Sequence, residues 1–139
     1  MMGTDLQELF NSFFIKLPSV DFTDKESQII QLLKSAIGKC YRRTYDDLTY
    51  VYDNTLKTGY FISIISQASI ELIAINMVRD YFSQKFAIIS GRKQYLGTQA
   101  FDKIPSYKEE FNTVKQSIEY WNTELDKLMA EFPDYSDER

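Results

Sequence analysis

Between Tyr107 and Phe132 the large apolar side chains Tyr107, Phe111, Val114, Ile118, Trp121, Leu125, Leu128 and Phe132 recur at unbroken intervals of four and three residues. An average spacing of 3.5 describes an α-helix whose apolar residues form a straight seam, packed along a partner helix at a crossing angle of about +20°. The partner is either a helix of the same chain or one of another subunit, since the spacing is the same for both. One other stretch has matching length. Thirteen of the twenty residues from Ile70 to Ile89 are apolar and surround most of the helical circumference, which predicts a central buried helix starting after Ser66 and stopping near Ser90 at Gly91. Glu71, Arg79, Asp80 and Lys85 lie within it and are too costly for hydrocarbon, so it reads as a core helix and not a membrane span.

Helix starts are marked by three Ser/Thr-x-x-Glu/Gln patterns, in which a hydroxyl caps the helix and the later side chain reaches back to the cap. They are Thr4-Asp5-Leu6-Gln7, Thr23-Asp24-Lys25-Glu26 and Ser106-Tyr107-Lys108-Glu109. The first opens a helix over residues 5–16 with a stripe of Leu6, Leu9, Phe10, Phe13 and Phe14, ended by Pro18. The second opens a helix over 24–42 that places Ile29, Ile30, Leu33, Ala36, Ile37 and Cys40 on one face. The third follows a loop holding Gly97 and Pro105 and opens the seam helix. From Thr44 to Ile65 the helical period fails. Leu48, Tyr50, Tyr52, Tyr60, Phe61, Ile62 and Ile64 are β-formers, with Asp53-Asn54 and Gly59 as turn residues, so 44–65 reads as an extended or hairpin-like arm. It is either a loop folded over the core or an arm reaching a neighbour. The expected fold is all-α: a single domain over residues 1–139, four-helix bundle-like, with this arm between the second and third helices and a flexible polar tail over 133–139.

The chain has no histidine and one cysteine, which removes the commonest general base and most zinc-ligand sets. Cys40 reads as a small core residue, and with no second cysteine no intrachain disulfide can form, as expected for a reducing compartment. The first residues carry no secretion-signal pattern, so synthesis and retention in a cytoplasm are expected. Glu109/Glu110 and Glu124/Asp126, flanked by lysines, read as a solvated helix face. Gly91-Arg92-Lys93 lacks the residues of a phosphate loop. Arg42-Arg43 with Tyr41 and Tyr45 reads equally as a weak single-strand surface or as a helix end making intersubunit ion pairs. A net charge of −4 argues against a face that grips phosphates. The reading is therefore a non-enzyme without cofactor or metal that works by fitting against other proteins.

Further residues extend that reading. They are Tyr60-Phe61-Ile62-Ser63-Ile64-Ile65-Ser66, then Ile70-Glu71-Leu72-Ile73-Ala74 with Met77-Val78 and Tyr81-Phe82, then Gln94-Tyr95-Leu96, Phe101-Asp102-Lys103-Ile104-Pro105-Ser106 and the seam helix. In this order, from about Tyr60 to Leu128, the chain resembles the head-tail adaptor, or connector, proteins of tailed double-stranded DNA bacteriophages. The likeness covers about half of the chain, and the N-terminal half departs from it.

The resemblance implies a virion structural protein of the neck, at the head-tail interface, made in the host cytoplasm. It implies a small helical bundle that forms a homo-oligomeric ring, commonly of twelve copies, below the portal protein and above a tail-side stopper or other neck protein. Double-stranded DNA passes through such a ring without specific binding, and copies carrying −4 each suit that passage. Tyr50, Tyr52, Tyr60 and Phe61 of the arm are the expected ring contacts, and Phe132 and Tyr135 near the C-terminus the expected anchors on the portal. The alternative is a generic helical interaction module, regulatory or chaperone-like, that holds one partner helix in its seam.

Overall fold

The computed structural model describes residues 3–44 and 46–130. The described chain is mostly helical: α1 (Leu6–Ile15), α2 (Glu26–Cys40), β1 (Tyr50–Asp53), β2 (Thr58–Phe61), α3 (Gln67–Leu96), α4 (Thr98–Asp102) and α5 (Pro105–Met129). Five helices and a small antiparallel sheet replace the expected four-helix bundle. The reason is length. α3 has 30 residues and α5 has 25, whereas α1 and α2, with 10 and 15, can cover only the first half of α3. The hairpin β1–β2 lies against α1.

Two apolar cores follow from this. The main one gathers Leu6, Leu9 and Phe13 of α1, Leu32, Leu33 and Ala36 of α2, Phe61 of β2, Leu72 to Val78 of α3 and Leu125 of α5. The second is made of Ile89, Phe101 and Val114, with Phe86, Phe111 and Ile118 packed around it. All of its members belong to α3, α4 and α5, so beyond about Phe86 the α3–α4–α5 hairpin stands as a finger without support from α1, α2 or the sheet. Two polar clamps tie the short helices to α3. Lys16 at the end of α1 pairs with Glu71 at 2.6 Å, and Lys39 of α2 pairs with Asp80 at 2.5 Å while Ser35 donates to the same carboxylate.

Helix ends depart from the sequence patterns in instructive ways. Asp5, not Thr4, caps α1, accepting from the Gln7 amide at 2.8 Å; the buried Thr4 hydroxyl instead accepts from the Ile65 amide at 3.0 Å. Thr23 donates its hydroxyl to Asp21, and α2 begins at Glu26 with no side-chain cap. Pro105 occupies the first turn of α5, where its missing N–H costs nothing, which moves Ser106 inside the helix. Gly91 does not stop α3. A glycine costs a helix interior only about 1 kcal/mol, and the packing of Ile89 and Leu96 on α4 and α5 outweighs that. Gly97, at φ +82°, is the actual stop.

The start of α3 is held by a polar cluster. Ser66 caps the helix through Ser69, and the Asp46 carboxylate accepts from the Ser66 amide at 2.9 Å and from the hydroxyls of Ser66 and Ser69. Partial burial pushes the Asp46 carboxyl up, but these hydrogen bonds and one from Thr44 outweigh it and hold the group below its ordinary value of 3.8. A carboxyl depressed on folding stabilises the fold fully above its unfolded value, and loses that contribution as pH falls through the folded one. Asp46→Asn is therefore expected to lower the urea midpoint at neutral pH, with a deficit that shrinks as the pH falls below 3.8. A deficit constant down to pH 2 would contradict this account.

Candidate interaction surfaces

β1 and β2 pair with Tyr50 opposite Phe61, Val51 opposite Tyr60 and Tyr52 opposite Gly59, so alternate residues share a face. On the other side of β2, Phe61 donates to the Thr4 carbonyl at 2.7 Å and accepts from Gly3 at 3.1 Å. A Cβ at Gly3 would collide with the Ser63 carbonyl, so the strand requires a glycine there. The arm thus lies over the core. Phe61 is fully buried with its ring 6.5 Å from that of Tyr50, which removes it from the partner-binding set: the inward pleat of β2 sends it into the main core beside α1. Tyr50 is half-buried and its phenol is pushed up by that burial. Tyr52 is half-buried beside α2, and Tyr60 is half-buried on the outward face with Val51. Ile62 and Ile64, on the same outward alternation as Tyr60, are exposed apolar residues that the sequence reading left out of the partner set. Phe132, Tyr135 and the tail over 133–139 lie outside the described residues.

A cleft of about 280 Å³ opens where the hairpin tip meets α1 and α2. Its floor is Phe10, Phe14, Ile29, Ile30 and Tyr52, and Asp24 and Glu26 stand at its rim. Glu26 is tied to Lys57 of the tip at 3.1 Å. Asp24 and Lys57, the only non-glycine residues at positive φ among those described, both sit at this rim.

The finger carries a second surface. Phe82, Phe86, Ile89, Lys93 and Leu96 of α3 turn towards the second core, with the Lys93 ammonium 4.7 Å from the Phe111 ring centre and Arg92 stacked at 4.6 Å on Tyr107. The face away from them presents Tyr81, Gln84, Ile88, Gly91 and Tyr95, spaced three, four, three and four. Ile88 is 66% exposed and Tyr95 90%. This outward seam was legible in the spacing, but reading Gly91 as a helix stop hid its upper half.

Groups with chemical potential are otherwise engaged. Cys40 is buried, and burial pushes its thiol up to about 12. Glu110 faces Arg92 at 3.4 Å and Glu124 pairs with Lys127 at 3.5 Å. Gly91-Arg92-Lys93 is helical. The Arg42 guanidinium lies 5.5 Å over Tyr41 and bonds its hydroxyl, while Tyr45 is outside the described residues. Among the described residues no cluster of three or more Cys, Asp or Glu side chains is placed to hold a metal, and no helix is long and apolar enough to cross a membrane. Compared with models of protein families, with curated proteins and with solved structures, the chain matches none.

Proposed function

We propose that the chain is a non-catalytic virion structural protein, a head-tail adaptor that forms a ring below the portal through which DNA passes. The observation that carries this reading is a pair of unlike surfaces, an aromatic cleft on the body and the exposed apolar end of the α3 seam, Ile88 and Tyr95, on the finger. A ring subunit has two different neighbours and needs two such surfaces. The resemblance over Tyr60 to Leu128 supplies the setting: the virion neck, after synthesis in the host cytoplasm, with the portal above and a stopper or other neck protein below. The acidic balance suits passage of double-stranded DNA without specific binding. Phe132 and Tyr135 are the proposed anchors on the portal. Mixing the purified chain with the portal protein of the same phage and imaging the product by electron microscopy is expected to show rings of many subunits. Failure to bind that portal, together with absence from particles, overturns the proposal.

The second reading is a helical interaction module for one partner helix, favoured by the exposed apolar residues Ile88 and Tyr95, seven positions apart on one face of α3. A single stoichiometric protein captured by the chain, with no higher assembly, decides for it.

A further inference from the structure

We infer that the finger of one copy seats Tyr95 in the aromatic cleft of a second copy, a head-to-tail contact that deepens the ring reading and rests on it only for closure. Tyr95 is the most exposed of the large apolar side chains described, in the last turn of α3, with Ile88 two turns below on the same face. Between them a Cβ at Gly91 would have no neighbour within 4 Å, so the helix surface there is open to close approach. The cleft is smaller than the range of about 300–1,000 Å³ typical of small-molecule sites, and its floor of Phe10, Phe14 and Tyr52 suits an aromatic side chain. The finger cannot fold back into its own cleft. α3 is one continuous helix, and Tyr95 lies 14 residues, about 21 Å, beyond Tyr81, which packs on Phe22 beside the cleft.

Charge selects the occupant. Residues 82–118 carry six cations and three carboxylates, whereas the rest of the chain carries ten cations and seventeen carboxylates. Around the cleft, residues 1–31 hold five carboxylates, Asp5, Glu8, Asp21, Asp24 and Glu26, against Lys16 and Lys25, and Lys16 is taken by Glu71. Lys57 at the rim pairs with Glu26, which leaves Asp5, Glu8, Asp21 and Asp24 against Lys25. A basic finger therefore meets an acidic body, which favours this contact over its alternatives. Pairing two α3 seams with each other would set Lys85, which flanks the seam, near its own copy. Since finger and cleft are different surfaces, the contact repeats from copy to copy and either closes into a ring or grows.

Directed cross-linking of the full chain tests it. Gln94→Cys, next to Tyr95, and Gln7→Cys, at the cleft, are both at exposed helical positions and keep the Tyr95 side chain, and the buried Cys40 stays unreactive. An equimolar mixture of the two variants under mild oxidation is expected to give the mixed disulfide at least about five-fold over either self-dimer. Adding Asp21→Asn and Asp24→Asn to the Gln7→Cys chain is expected to lower that yield several-fold. A random distribution, with the mixed species near twice each self-dimer, overturns the contact, as does a dominant Gln94→Cys self-dimer. Rings on the portal without the mixed cross-link sink the contact alone. The cross-link without rings sinks the adaptor reading and leaves the contact standing.

Discussion

Phe61→Ala is expected to destabilise the protein by about 3–5 kcal/mol, because it empties a fully buried phenylalanine site that the surrounding helices cannot close. For a chain of this length that corresponds to a fall in Tm of about 10–15 °C. The loss is large because Phe61 joins several elements at once. Its ring packs against Tyr50 across the hairpin, and its strand lies on α1 and pairs with the residues leading into α1. Leu56→Ala at the hairpin tip, where the side chain is 70% exposed, is expected to stay within about 0.5 kcal/mol of the parent. Thermal and urea melts followed by circular dichroism check both. A Phe61→Ala chain as stable as the parent but defective in assembly would return Phe61 to the partner-binding role expected from the sequence.

Phe101→Ala is expected to have an equally large but local effect. Phe101 is the buried residue of the five-residue α4, with its ring 5.8 Å from Tyr107 and 6.0 Å from Phe111, and Lys93 lies 5.7 Å over it. Emptying that site costs about 3–5 kcal/mol in a core whose members come only from the finger. Such a unit can open without the rest, so the loss falls on its own opening free energy. Hydrogen exchange is expected to show amides from about Phe86 to Ile118 losing protection while Leu72 to Val78 keep theirs. The fall in global Tm is expected to be smaller than for Phe61→Ala. Equal loss in both regions would mean that the two cores unfold as one.

The long helices were legible in the sequence, and so was an extended arm, though not whether it is a hairpin or a loop. The seam from Tyr107 to Leu128 is a local period that no reasonable packing could reverse, and α3 supplies the partner helix. Asp53-Asn54 and the β-formers around them mark an extended or hairpin-like arm, and the structure pairs Tyr50–Asp53 with Thr58–Phe61. The helix ends were not legible to the same degree. Three cap patterns were present, and none acts as a cap, because Thr4 is drawn to Ile65, Thr23 to Asp21, and Pro105 starts α5 one residue early. A cap motif competes with any tertiary partner for the same hydroxyl, and the partner is invisible in one dimension.

The candidate surfaces divide along the same line. Spacing alone identified tyrosines of the arm, yet the pleat turned Phe61 inwards, left Tyr60 on the outer face with Val51, and exposed Ile62 and Ile64. The cleft draws its floor from α1, α2 and β1, so no run of residues announced it.

By itself the sequence determined the four main helical segments, though not the short α4 in what reads as a loop, that two of them are long and apolar enough to pair, and that histidine chemistry is absent; these depend on residue type and on periods of a few residues. Only the tertiary structure decided that α3 runs through Gly91 to Gly97, that the arm folds onto the core, and that a finger projects with Tyr95 bare beside a cleft elsewhere. Those outcomes depend on how much apolar area each short helix can cover along a 30-residue partner, a quantity that exists only once the helices are packed.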